Sequence, residues 1–546
     1  MAGPVDLKPR ALDWRYAALA ILLIGIGSLR IASTYRVFNH TIDEPDHLAA
    51  GMEWLDAGKY LFADDHTPLA RICGALLPWL AGERWHGGGA ASYMEGYRIL
   101  GQGKHYDRTL ALARLGMLPF FWIGSAVVFL WANRAAGGLA GVAALALFTT
   151  LPPVLAHAGL VTTDMALTAM VAAAAYASLL WAEAPSRRRT VALGVAMGFA
   201  ALAKWSALVF LPSAWLVMFG WSAARAGWSP RRAAQAVWER RRSIGAALAV
   251  AFLILWAGYR FTFAHVGWLH MRMPAPRFFT GIYRLWVENR KGHPAYLLGQ
   301  RSATGFRLYY PVALGVKTPL GMLLLLAAAP WLARFDRPRK TMVCPTLPAW
   351  FRGVALPLAF SLGVLLFAMT SRINVGVRHV LPVYAGFAVA CGIAAAAVFR
   401  TPGRKALKCA VAALLGWHVV SGALQHPDYL AYGNEVAGNH LEAFVDDSDL
   451  DWGQDMKRLG DFLRAEGVSE VAFSPFNGTY LWSGHPFPRI LPVDPAHPSP
   501  GWNAVSVTMW KTFRDPAWAD RIEPQWRIGR SILLWRLPPA PQPGVR

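Results

Sequence analysis

The sequence predicts a polytopic α-helical membrane protein of about eleven transmembrane helices, with a small C-terminal α/β domain on the non-cytoplasmic side. Three observations predict it. Apolar residues fall in blocks of about twenty with almost no charge, each long enough to cross a hydrocarbon core of roughly 30 Å as a helix. Only 16% of the 546 residues are charged and 55% are hydrophobic, whereas an ordinary soluble chain has roughly 25% charged residues. Finally, every second connection between blocks is rich in Lys and Arg, as cytoplasmic loops are.

Taken in order, the blocks place helices near Trp14–Thr34, Leu110–Ala132, Leu139–Ala156, Leu160–Ala182, Val191–Ala203 and Ser206–Ala223. The rest fall near Ile244–Phe263, Tyr309–Leu332, Val354–Met369, Leu381–Val398 and Leu407–Leu424. The first block is long enough to remain as an anchor, and no small-residue cleavage site follows it. A shorter apolar stretch, Leu69–Leu80, contains Pro78 and suits the interface or a partial dip into it. With a cytoplasmic N-terminus, the inner connections hold Arg134; Arg187, Arg188 and Arg189; Arg225, Arg231, Arg232 and Arg240 to Arg242; Arg334, Arg337, Arg339, Lys340 and Arg352; and Arg400, Arg404, Lys405 and Lys408. Topology therefore accounts for most of the formal charge of +22, and no nucleic-acid partner is expected.

An odd number of helices puts the C-terminus outside. Residues 1–424 form the transmembrane domain, with a long first external loop at 35–109, and 425–546 form the C-terminal domain. Loops of that length are usually functional. A second external loop spans about His265 to Leu308. The tail has an amphipathic helix near Gln454–Glu466, apolar runs at Glu470–Phe473 and Ser531–Leu537, and a Pro-rich end, PPAPQPG, that reads as disordered. The four cysteines are scattered, so neither a disulfide framework nor a zinc cluster is expected.

The chemistry-bearing residues sit at the external ends of the helices. The first loop opens HTIDEPDHLAAGMEWLDAGKY, which gathers Asp43, Glu44, Asp46 and His47 within five residues. Glu44, His47 and Gly51 share a helical face, and Asp43 stands at a natural N-cap before Pro45. The bland reading is that Asp43 only caps a solvated helix. The spacing matches no strong metal-ligand pattern, so no metal and no cofactor is expected. Asp164, in AHAGLVTTDMALT, lies about one turn into a membrane helix, where a carboxylate marks a site unless it is capped or snorkels. Lys204, Lys317, Arg372, Arg378 and His379 put positive charge at outer ends, against the positive-inside trend. They call either for lipid headgroups or for an anionic ligand such as a lipid phosphate.

Together these stretches resemble the polyprenyl-phosphate-dependent glycosyltransferases of the GT-C superfold, which include protein O-mannosyltransferases and the aminoarabinose transferases acting on lipid A. The resemblance covers most of the chain. It rests on DEPDHLAAGMEWLDAGKY followed by HTPLARI, on LVTTDMALT, ALAKWSAL, YYPVALGVKTPL and NVGVRHVLPVY, and on HPDYLAYGNEVAG with DDSDLDWGQDMKRLGDFL in the tail, typical of a bacterial branch. It implies a GT-C-like fold in a bacterial inner membrane with a periplasmic or extracellular C-terminal domain. It also implies transfer of a sugar from a polyprenyl-phosphate-linked donor to a hydroxyl on a protein, lipid or glycan acceptor. Asp43 corresponds to the general base and Asp164 to the second, acceptor-positioning carboxylate. His66 corresponds to the residue that touches the carrier phosphate, with Thr67 standing where the family has a first proline. Apart from the resemblance, the residues themselves add Glu44, His47, Lys204, Lys317, Arg378 and His379 to the candidate substrate-binding set, the cations suiting a phosphate leaving group. Attack opposite that phosphate implies inversion of the anomeric centre.

A secondary transporter or lipid flippase is the main competing reading. It calls for polar groups at the bilayer midplane and often for two matching halves. Here the polar groups concentrate at one end, and no repeated half is visible. A noncatalytic scaffold would leave Asp43, Asp164 and the outer cations without a role.

Overall fold

A computed structural model describes residues 13–61, 66–87, 92–101, 105–335 and 353–538. The basic residues Arg337, Arg339, Lys340 and Arg352 and the Pro-rich end from 539 onward lie outside the described residues. The N-terminal half runs α1 (Trp14–Ala32), α2 (Glu44–Met52), α3 (Pro68–Leu80), α4 (Ser92–Ile99), α5 (Tyr106–Leu115), α6 (Leu118–Ala136), α7 (Gly138–Thr150), α8 (Pro152–Ala158), α9 (Asp164–Glu183), α10 (Arg187–Ala203) and α11 (Ala207–Arg225). It continues with α12 (Pro230–Glu239), α13 (Arg241–Gly258), the hairpin β1 (Phe263–Val266) and β2 (Met271–Pro274), α14 (Pro276–Lys291), the hairpin β3 (Ala295–Leu297) and β4 (Gln300–Ser302), α15 (Tyr309–Lys317) and α16 (Leu320–Leu332). Three further helices close the bundle: α17 (Ala355–Ala368), α18 (Val383–Arg400) and α19 (Lys405–Leu424).

Among the described residues, seven helices are singly long and apolar enough to cross a membrane, and two bent pairs bring the number to nine. The two remaining predicted spans are the shorter helices α10 and α17. Two predicted continuous spans are in fact broken. The third bends by 66° between α7 and α8, and the eighth by 113° between α15 and α16. Proline is the cause in both. Leu151 and Thr318 stand before Pro152 and Pro319, and the proline ring pushes each into extended backbone, which ends the helix there. The hydropathy of the sequence runs straight through both breaks and so hides them.

At the centre lies α18, whose run of alanine, glycine and valine is buried along almost its whole length. Small side chains let neighbouring helices approach closely, which is how helices pack where lipid supplies no hydrophobic drive between them. Above one end of the bundle, α2 to α4 fold the first loop into a short helical cap. Gly51 holds α2 against α3, since a Cβ there would collide with the Arg71 carbonyl.

The small C-terminal sheet domain contains α20 (Met456–Ala465), β5 (Glu470–Ser474), β6 (Arg489–Leu491), β7 (Gly501–Ser506), β8 (Trp526–Ile528) and β9 (Ile532–Leu537). The strand order is β6-β5-β7-β9-β8, parallel across β6, β5 and β7 and antiparallel across β7, β9 and β8. Buried Met456, Leu459, Gly460 and Leu463 recur at helical spacing on α20 and give it the apolar stripe that a packed helix needs. The sheet buries Val471, Ala504, Val505, Leu533, Leu534 and Trp535. The amphipathic helix and both apolar runs read from the sequence are therefore present.

Candidate active site

Asp43 immediately precedes α2, yet its carboxylate makes no capping hydrogen bond. It accepts a 3.0 Å hydrogen bond from Nη1 of Arg378 instead, and its side chain remains 33% exposed. The capping reading of Asp43 therefore fails. The cap is released because the backbone at Asp43 is already helical and Pro45 fills the first turn.

Asp164 opens α9, where the positive end of the helix dipole favours a carboxylate. Its side chain is fully buried. Oδ1 lies 2.6 Å from the ammonium of Lys204, and Oδ2 lies 3.6 Å from the same Arg378 nitrogen that binds Asp43. Lys204 can reach it because the chain turns extended at the end of α10. A lone carboxylate at that depth would be costly, and the two cations offset its burial. Asp43, Arg378, Asp164 and Lys204 thus form one alternating chain of charge drawn from four separate segments.

His379 sits beside this chain, with Nδ1 3.4 Å from the Tyr310 hydroxyl. Burial, reinforced by the neighbouring charges of Lys204 and Arg378, holds its imidazole well below the ordinary histidine range. The same surroundings disfavour the cationic form that the sequence reading gave His379. The ring of His66 lies 5.0 Å from that of His47, edge to face. Both are pinned through Arg71, which donates to His47 Nδ1 at 2.9 Å and to the Tyr60 hydroxyl at 3.2 Å, while Tyr60 donates to the His66 carbonyl at 2.8 Å. Arg71 is completely buried and pairs with Asp46 at 2.8 Å.

Two expected substrate contacts are placed elsewhere. Glu44 is sealed against Arg114, with donations at 2.9 and 2.8 Å, and it also accepts the backbone N–H groups of Thr41 and Val161. Burial acts to raise its carboxyl, but Arg114 and the backbone donors outweigh this and hold it below the usual carboxylate range. Only 1% exposed, Glu44 braces the first loop and does not face a ligand. Lys317 ends α15 at the proline break, and its ammonium donates to the carbonyls of Leu430, at 2.6 Å, and Asp449. It ties the tail to the bundle and takes no part in the chain of charge.

The sequence reading missed Arg114, Arg71 and His157, and it did not link Trp452 to Arg378. The face of Trp452 lies 4.0 Å from the guanidinium carbon of Arg378, and its ring centroid is 6.2 Å from that of His157. The acidic, tryptophan-bearing run DDSDLDWGQD reads from the sequence equally as a segment suited to sugar contacts or as the capped start of a helix. Among the described residues, no three His, Cys, Asp or Glu side chains gather where they could hold a metal ion.

No protein-family model matches the sequence, and no curated protein matches it significantly. Among solved structures, ArnT from Cupriavidus metallidurans bound to undecaprenyl phosphate is similar over 95% of this chain and 98% of its own, with 14% identity and a TM-score of 0.50. Archaeal oligosaccharyltransferase AglB from Archaeoglobus fulgidus, in complex with an inhibitory peptide and a dolichol-phosphate, aligns over 93% of this chain and 72% of its own at 12% identity and a TM-score of 0.47. The Saccharomyces cerevisiae O-mannosyltransferase Pmt1-Pmt2 complex bound to the sugar donor aligns over 45% and 33%, at 15% identity and a TM-score of 0.36. The likeness to ArnT along nearly the full length of both chains shows a GT-C fold.

Proposed function

We propose that this GT-C fold works as a membrane glycosyltransferase, transferring a sugar from a polyprenyl-phosphate donor to a hydroxyl acceptor on the non-cytoplasmic side. The observation that carries the reading is the convergence of Asp43 and Asp164, from two separate loops, on Arg378. The carrier named with ArnT, undecaprenyl phosphate, agrees with it in class.

Exposure divides the labour between the carboxylates. Asp43 is accessible and Asp164 is not, so Asp43 is the general base and Asp164 holds Lys204 and Arg378 in register. The acceptor oxygen attacks the anomeric carbon and gives its proton to the Asp43 carboxylate. The bond from that carbon to the phosphate oxygen breaks, and the electron pair leaves with the polyprenyl phosphate. Arg378 uses Nη1 for Asp43 and Nε for the Val375 carbonyl. Nη2 makes no hydrogen bond among the described residues and is the donor for the departing phosphate, with Lys204, which shares Asp164 with Arg378, as a second cation. Fixed donors aimed at developing charge stabilise it without reorganising. Attack opposite the phosphate inverts the anomeric centre.

Broken helices also occur in secondary transporters. Here, however, the break after Lys317 leaves its ammonium occupied by two backbone carbonyls, which is a structural joint and not an ion path. The test is transfer by the purified protein in liposomes, with a panel of polyprenyl-phosphate sugars. Turnover of one donor with an inverted linkage supports the proposal, and inactivity across hexose, pentose and amino-sugar donors with varied acceptors contradicts it.

A further inference from the structure

One short piece of the tail holds both halves of the Asp43–Arg378 pair. On the Asp43 side, the Trp452 carbonyl accepts the Ile42 N–H at 3.3 Å, and the Gly453 carbonyl accepts the Asn39 amide at 2.7 Å. On the Arg378 side, the Asp449 carboxylate accepts the Val377 N–H at 2.9 Å, and the Ser448 hydroxyl donates to the Val375 carbonyl. Gly376, between these anchors, has φ of 110°, and a Cβ there would collide with Ser448 Oγ. Only glycine suits both the conformation and the approach. Above them lies the Trp452 indole, 1% exposed, with its face on the Arg378 guanidinium.

We propose that Trp452 is a positioning residue contributed by the C-terminal domain to the transferase site. The inference rests on the glycosyltransferase reading above. Guanidinium groups stack on aromatic faces, and that attraction is directional out of the plane but tolerant of sliding within it. Trp452 thus holds Arg378 in the plane that joins Asp43 and Asp164. With Nη1 and Nε already engaged, the stacked guanidinium keeps its Nη2 edge presented to a donor phosphate. By excluding water from one face of Arg378, the indole lowers the local dielectric and strengthens each charge pair that Arg378 makes. The tail is then part of the reaction centre as well as a brace for the first loop.

The experiment uses the full-length protein in liposomes and the polyprenyl-phosphate sugar that the native protein transfers. Trp452→Phe keeps an aromatic face, and Trp452→Leu removes it. The Phe variant is expected within about threefold of native kcat, and the Leu variant about tenfold or more below it, with donor KM within about threefold. Should the Leu variant fail to fold, tryptophans with increasing numbers of ring fluorines at position 452 alone preserve shape while draining the π face. A stepwise fall in kcat with fluorination supports the proposal, because a merely structural role would not respond. A kcat indifferent to fluorination, or a folded Leu variant with native kcat, overturns it. Failure of the native protein to transfer any such sugar removes the parent reading and this one together, and is distinguishable because it appears before any substitution is made.

Discussion

The carboxylate of Asp43 and the guanidinium of Arg378 meet at 3.0 Å although 335 residues separate them in the chain. The same Arg378 nitrogen lies 3.6 Å from Asp164. A single arginine therefore couples the accessible carboxylate of the first loop to the buried one at the head of α9, and its geometry controls both. Consequences follow for the arginine, for the brace beneath it and for the tail above it.

Arg378→Lys keeps the charge but loses the planar fork that reaches Asp43 while still presenting Nη2. Turnover is expected to fall by about ten- to a hundredfold, and Arg378→Gln is expected to fall further. Steady-state transfer kinetics measure this. A lysine variant as active as the native protein would mean that only a point charge is needed.

The Glu44–Arg114 pair is a different kind of contact, with both side chains 1% exposed. Arg114→Met strands a buried carboxylate, a change that typically costs about 3–5 kcal/mol. The expected phenotype is a clear loss of thermal stability in detergent, with activity lost in proportion to the unfolded fraction. Asp43→Asn is expected to melt near the native temperature. Equal melting temperatures for native protein and Arg114→Met would contradict the bracing role.

Asp451 and Asp455 lie buried under the tail sheet, and burial pushes each up to about 6. In the unfolded chain an aspartate titrates near 3.9. Between about 4 and 6 the folded tail therefore keeps protons that the unfolded chain has released, and its stability falls as pH rises through that window. Hydrogen exchange at β7 and β9, corrected for intrinsic rates, should show more protection at pH 5 than at pH 7. Asp451→Asn with Asp455→Asn should weaken the dependence, with buried Asp446, Asp447 and Asp449, also raised by burial, supplying what remains, whereas protection that grows with pH would reverse the sign argued here.

Much of the site was legible because charge at an outer helix end is expensive and therefore informative. Asp164, Lys204 and Arg378 each stood out by violating either the apolar run or the positive-inside trend, and the fold brings all three together with Asp43. Glu44 and Lys317 carried the same signal for a different reason. Both are buried, and each is satisfied by a partner far away in sequence, Arg114 for one and the tail carbonyls for the other. Charge at the right depth does not reveal whether a ligand or the protein itself supplies the partner. The charge of His379 could not be read from the sequence, because its protonation depends on neighbours that only the fold assembles. The stacking of Trp452 on Arg378 was missed because a tail tryptophan has no pattern that links it to an arginine in another loop. The breaks at Pro152 and Pro319 were written in the sequence, but hydropathy weighs those prolines too lightly to show them.

The most direct test separates donor binding from turnover in Asp43→Asn. Asparagine preserves the shape and can still accept a hydrogen bond from Arg378, but it cannot take the acceptor proton. The account predicts donor affinity within a few-fold of native, with turnover about a thousandfold or more lower. Native turnover in that variant would contradict the assignment of Asp43 as the base.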